Sequence, residues 1–158
     1  MGVYLIVLTV ALAVFIAIAS VANGRLPESF SETYYVLKEK IGEGWPFQIV
    51  MVAMVFFIAP IWFTLAPDEL RFLAFLGSGP LLFVAGAPLF RADGRKLHLA
   101  SATVAGLAII IWLCAATPVL LVIPAAAVLT VSLAKIRCSI LLLEVAVYLS
   151  LVISLLII

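Results

Sequence analysis

The chain divides into six apolar stretches, each close to the length that crosses a bilayer and nearly empty of charge, and this division constrains the fold more than any motif. They run approximately over residues 3–22, 46–65, 70–90, 97–116, 119–134 and 139–158. A crossing helix needs roughly 20 mainly apolar residues to traverse about 30 Å of hydrocarbon. Within lipid, backbone groups must be satisfied inside the segment itself, which a helix does. Of the whole chain, 67% of residues are hydrophobic and 11% charged. A soluble domain runs about 45–50% apolar and about 25% charged. So few charges cannot cover a particle of this size against water, which excludes an ordinary soluble domain. The expected fold class is all-α: a polytopic transmembrane bundle of six helices forming one integral-membrane domain over residues 1–158, with membrane lipid as its first partner.

Only Thr117-Pro118 separates the fourth and fifth stretches. Pro118 disfavours helix in the residue before it, so a tight hairpin is expected there. Charge checks the count. With six crossings, the loops after the first, third and fifth share a side and hold Arg25, Lys38, Lys40, Arg91, Arg95, Lys96, Lys135 and Arg137, while the other side holds only Arg71. Merging the fourth and fifth stretches would move Lys135 and Arg137 across and weaken that bias. The positive-inside rule then places the basic loops in the cytoplasm and both termini outside, in a cell membrane such as the inner membrane of a bacterium. Ser20-Val21-Ala22 looks like a cleavage site, but Met1-Gly2-Val3 carries no basic n-region, so the first stretch is read as a retained helix. A net charge of +1 suggests no nucleic-acid partner. Cys114 and Cys138 fall towards opposite faces, so no disulfide is expected between them.

Between the first two stretches, residues 23–45 carry nearly half of all the charges, and they are organised. Ser29-Phe30-Ser31-Glu32 fits a capping box with Ser29 as N-cap. Phe30, Tyr34, Leu37 and Ile41 then recur at helical spacing, and Gly42 is a natural C-cap. The spacing predicts a short amphipathic helix over about 30–41 lying at the membrane interface, with Tyr34 and Tyr35 at headgroup level. It serves either as a connector shielding the end of the bundle or as a lid over a cavity.

Two features interrupt the apolar stretches. Gly77-Ser78-Gly79-Pro80 falls near the middle of the third, where Gly77, Gly79 and Pro80 predict a kink or local unwinding, read first as a packing kink where Gly and Ala let helices approach closely. Interrupted helices mark substrate sites in many transporters, but usually as a matched pair, and no internal repeat is visible here. In the fourth stretch, Ser101, Ala105 and Ala108, with Ala102 and Gly106 beside them, form a small-residue face suited to close helix contact, within the chain, in a homo-oligomer or with a membrane partner.

Glu144 is the one charge well inside a span, and an intramembrane carboxylate is by default a functional candidate. Its alternatives are structural: pairing with Arg137 or Lys135, or a hydrogen bond to Tyr148 one turn on. His98, the only histidine, opens the fourth stretch on the same side as Ser31, Tyr34 and Tyr35. A catalytic arrangement of His98 with Ser31 or Tyr34 can be drawn, though no nucleophile elbow accompanies it. One histidine excludes bis-histidine haem within the chain and zinc hydrolysis of the three-histidine kind. No metal, no phosphate loop and no cofactor is expected.

Ser29-Phe30-Ser31-Glu32-Thr33-Tyr34-Tyr35, the Ala87-Pro88-Leu89-Phe90 ending of the third stretch and the run from Gly94 to His98 together resemble small six-helix bacterial membrane proteins, loosely of the Frag1 and DRAM type. The likeness covers roughly residues 27–113, with Phe30 standing where Ile is usual. It implies a six-helix bundle with Ser31, Tyr34, Tyr35 and His98 grouped at one face, and no established activity.

Two functional classes lead from these residues. In the first, a non-catalytic membrane protein binds or moves a lipid-like or small amphipathic ligand through Tyr34, Tyr35, His98 and Glu144. In the second, a membrane-embedded enzyme acts on a lipid headgroup through His98 with Ser31 or Tyr34. An accessory or assembly protein without a ligand is the third.

Overall fold

A computed structural model describes residues 2–89, 94–134 and 136–158; among them the regular structure is helical and no strand occurs. Seven α-helices follow in order: α1 (Gly2–Asn23), α2 (Glu32–Ile41), α3 (Trp45–Leu65), α4 (Arg71–Gly86), α5 (Gly94–Ala116), α6 (Val122–Ala134) and α7 (Ser139–Ile157). Short 3-10 turns at Asp68–Leu70 and Pro118–Leu121 lead into α4 and α6. Five helical segments are long and apolar enough to cross a membrane, while Pro118–Ala134 is shorter. The protein is a multi-pass membrane protein.

Exposure along α1 shows why lipid is its solvent. Leu5, Leu8, Leu12 and Phe15 recur at helical spacing and are buried, yet Val3, Ile6, Val7, Val10, Val14 and Ile18 on the remaining surface are each more than half exposed. A helix apolar on every side would leave a large patch facing water, but lipid tails accept it at no cost. The outward Phe56 and Phe57 on α3 and Phe75 and Phe83 on α4 repeat the pattern. The core runs between α1, α3, α4, α5 and α7, and the closest helix pairing joins α4 to α5. The small face of α5 lies in that interior: Ser101, Ala105 and Ala108 are buried inside the bundle.

One end of the bundle is fastened by the loop after α1. The backbone N–H of Leu141 donates to the Glu28 carbonyl at 2.9 Å. Arg137 Nε donates to the Glu28 carboxylate at 2.9 Å, and Arg25 reaches the same oxygen at 3.3 Å. The flanking arginines hold the Glu28 carboxyl below its ordinary value, Arg137 most strongly. At the opposite end, Ser154 Oγ accepts hydrogen bonds from the Trp112 indole N–H at 3.1 Å and from the Thr117 hydroxyl at 2.8 Å. These tie α5, the Thr117-Pro118 hairpin and α7 together where three buried polar groups would otherwise lack partners.

Several expectations need correcting. The helix after α1 begins at Glu32, two residues late, because residues 29–31 make tight turns. Half of the expected capping box forms, with Ser29 Oγ accepting from the Glu32 N–H at 3.2 Å, but the Glu32 carboxylate reaches back to the Glu28 N–H. Gly42 ends α2 with φ 80°, a left-handed C-cap. The buried stripe is Thr33, Tyr34, Val36 and Leu37, whereas Ile41 is 58% exposed. The helix packs against α1 and α3, which favours the face nearest Phe47 over the one that includes Ile41. Nor does α4 unwind at Gly77, Gly79 and Pro80: the helix is continuous from Arg71 to Gly86 with Pro80 inside it. A proline removes one helical hydrogen bond, which a packed helix can absorb. Gly77 has the packing role expected of a close helix approach, since a Cβ there would lie 2.4 Å from the Trp62 ring. Phe90, Arg91 and Lys135 lie outside the described residues.

Candidate ligand cavity

A half-open cavity of about 290 Å³ lies in the bundle, walled by α1, α3, α4, α5 and α7 and lined at the loop end by Phe30 and Ser31. Its walls are mostly apolar, as in small-molecule sites generally. Met51, Met54, Ile58 and Trp62 supply the α3 wall, and Ala102, Ala105, Gly106 and Ile109 the α5 wall. Small residues on α5 leave this space open; a Cβ at Gly106 would meet nothing within 4 Å. Between His98 and Ile109 the α5 wall extends roughly 16 Å, at about 1.5 Å per residue.

Polar groups gather at the loop end. Ser31, His98 and Glu144 all line the cavity there, brought from the start of α2, the first turns of α5 and the second turn of α7. Glu144 projects inward because Leu141, one turn earlier, is pinned to the loop through Glu28. Its Oε2 accepts the Phe30 backbone N–H at 2.6 Å. Two of the three expected partners of Glu144 are otherwise engaged: Arg137 is bound to Glu28, and the Tyr148 hydroxyl lies 3.1 Å from Thr9 Oγ1 on α1; the third, Lys135, lies outside the described residues. No cation among the described residues forms an ion pair with Glu144. The carboxylate therefore keeps acceptor capacity facing the cavity, since it can take about four hydrogen bonds.

The His98 ring interacts with the backbone carbonyl of Val84. Helical geometry explains why that carbonyl is free, because its partner four residues on is Pro88, which has no N–H. The neighbouring Ala85 carbonyl accepts from Gln48 Nε2 at 3.3 Å. Side chains thus take over the orphan carbonyls at the end of α4. Deeper in, the Ser78 hydroxyl donates to the Ala74 carbonyl at 2.5 Å, leaving that wall effectively apolar. The Trp62 indole N–H is buried with no hydrogen-bond partner among the described residues.

The sequence candidates thus separate into two groups. Ser31, His98, Glu144 and Gly77 line the cavity; Gly79, Pro80, Tyr34 and Tyr35 do not. Tyr34 is buried against Phe47, ring centroids 6.2 Å apart, with its ring lying over Gly44, where a Cβ would clash. Tyr35 is 63% exposed and meets Tyr34 edge to face at 5.2 Å. Ser31 Oγ is 3.1 Å from Ser29 Oγ, and neither Ser31 nor Tyr34 hydrogen-bonds His98. Sequence reasoning missed Met51, Met54 and Trp62 as one wall. Their spacing of three and then eight residues on α3 was the available signal, but every face of that helix is apolar.

No family model, no curated protein and no solved structure matches the chain.

Proposed function

We propose that this membrane protein binds a lipid-like or small amphipathic molecule in the interior cavity, and holds it or exchanges it with the bilayer. One observation carries this reading: a cavity with Ser31, His98 and Glu144 gathered at one end and a mostly apolar lining beyond them. That is the complement of an amphiphile. At about 290 Å³ it falls near the lower end of ligand pockets, which run about 300–1,000 Å³, so the fit is to one chain rather than to a whole diacyl lipid.

Six crossings, with the basic loops in the cytoplasm and both termini outside, complete the proposal. The loop at Glu28 and the start of α7 at Leu141 are joined by direct hydrogen bonds, so the chain between them traverses the bundle an even number of times. Counting α6 with α3, α4 and α5 satisfies that. Thirteen α-helical residues at about 1.5 Å and four 3-10 residues at about 2.0 Å give Pro118–Ala134 roughly 27 Å, near the hydrocarbon thickness. The one-sided basic charge and the likeness to small bacterial membrane proteins favour a bacterial inner membrane.

Catalysis on a headgroup is the weaker reading. Ser31 and His98 share the cavity, but no nucleophile is paired with the imidazole, and Tyr34 is buried elsewhere. Native mass spectrometry of the protein extracted from membranes tests the binding reading. A bound amphiphile is expected on the wild type and its loss on Gly106→Leu, whose side chain grows into open space. Equal occupancy of the two proteins would overturn it.

A further inference from the structure

The geometry points to an ammonium group on the ligand: the cavity is a site for a single-chain amphiphile with a primary amine head, seated on Glu144. This rests on the amphiphile-binding reading above and deepens it by naming the head. Glu144 is the only acidic side chain among the described residues that line the cavity. Its one hydrogen bond among the described residues, from the Phe30 N–H, occupies Oε2. Neighbouring Arg137 is held away by Glu28, and no described cation pairs with Glu144. Intramembrane carboxylates face cavities and pair with cations. Here the pairing partner among the described residues is missing, while the space beside the carboxylate is open.

The other polar groups at this end suit the same head. A primary ammonium has three donors and no acceptor. Glu144, the Ser31 hydroxyl and the His98 ring offer it acceptors from three different elements. A phosphate or fatty-acid carboxylate would instead meet the Glu144 charge at close range in a medium of low dielectric, where like charges repel strongly. A neutral alcohol would fit the trunk and gain no ion pair. The ammonium could belong to a free long-chain amine or to a membrane aminophospholipid; the cavity volume favours the single chain.

Quenching of the cavity-lining Trp62 provides the test. In a Trp45→Phe background reconstituted in phosphatidylcholine nanodiscs, ω-bromododecylamine, ω-bromododecanol and ω-bromododecanoate are titrated against wild-type, Glu144→Gln and Gly106→Leu proteins. The amine is expected to quench at a concentration about tenfold or more below the alcohol, the range of a charge-assisted hydrogen bond, and the carboxylate to be weakest. Glu144→Gln, which keeps the shape and an acceptor for the Phe30 N–H, is expected to erase the amine's advantage and leave the alcohol unchanged. Gly106→Leu is expected to weaken all three. Equal binding of amine and alcohol to the wild type, or a preference for the carboxylate, overturns the ammonium assignment while leaving the amphiphile cavity standing. Quenching that is absent, or unaffected by Gly106→Leu, overturns both. Since the wild-type ranking already decides the point, a Glu144→Gln protein that fails to fold does not rescue the assignment. Added phosphatidylethanolamine that competes with the amine identifies the membrane lipid as the source of the ammonium; absence of competition identifies the free single-chain amine.

Discussion

Replacing Gly77 with alanine puts a methyl group where the Trp62 ring now lies. The new Cβ would stand 2.4 Å from both Cζ3 and Cη2 of Trp62, and 3.6 Å from Ile109 Cγ1. Carbon atoms rest about 3.5–4.0 Å apart, so the ring must retreat by more than about 1 Å. Retreat is blocked on one side by Trp112, which meets Trp62 edge to face at 5.7 Å and is itself held by Ser154. Trp62 also lines the cavity, so a retreat on that side would narrow it. Overpacking of this kind costs about 1–3 kcal/mol, and alanine recovers roughly 0.8–1 kcal/mol of helix propensity over glycine. The net expectation is a loss of up to about 2 kcal/mol, together with a smaller cavity. Gly106→Ala is the matched control, since its methyl group enters open space and gains up to about 1 kcal/mol from propensity alone. Unfolding both proteins with SDS in mixed micelles, followed by near-ultraviolet circular dichroism, reads the stability and the tryptophan pair together. Gly77→Ala should unfold at lower SDS than the wild type with an altered aromatic band, and Gly106→Ala at equal or higher SDS with a native band. A Gly77→Ala protein as stable as Gly106→Ala, with an unchanged aromatic band, would refute the packing argument.

Three further outcomes follow from the two ends of the bundle. The depressed Glu28 carboxyl favours the docked loop above its ordinary pKa of 4.5, and docking is lost as pH falls through the lowered value; amide exchange at Leu141, corrected for intrinsic rates, should accelerate only in that acid range, and loosening towards neutral pH would contradict it. Ser154→Ala leaves the Trp112 indole and the Thr117 hydroxyl buried without their acceptor, at a cost of about 1–3 kcal/mol that SDS unfolding can measure, and an unchanged midpoint would show that those bonds contribute nothing. A cysteine at Lys40, in a chain whose Cys114 and Cys138 are replaced by serine or alanine, should react with impermeant maleimide only from the cytoplasmic face; labelling from outside would reverse the proposed orientation.

How much of this could be read from the residues depends on whether one chain segment or several decides the feature. The long helices were legible because each is a local matter of twenty uncharged residues, and Gly42 was legible as a cap because its left-handed conformation is a local demand. Glu144 stood out for the same reason, as a charge in an apolar run. Its partner did not, because the Phe30 N–H is 114 residues away and belongs to the backbone, which no side-chain pattern advertises. The face that α2 buries was misjudged at Ile41 since both candidate stripes are apolar and only the position of α3 chooses between them. Gly77 was legible as a point of close helix approach, but not its partner, Trp62, fifteen residues earlier on another helix. In a membrane protein this difficulty is general: lipid-facing and core-facing surfaces are equally apolar, so periodicity finds helices but does not orient them.

If the amphiphile sits in the cavity with its head at Glu144, it should be visible there directly. The most direct measurement is an experimental density map of the protein purified in nanodiscs with dodecylamine present. Elongated density is expected between Met51, Gly106 and Trp62, ending in a head within hydrogen-bonding distance of the Glu144 carboxylate. A cavity that is water-filled or collapsed under those conditions, or a chain lying with its head away from Glu144, would contradict it.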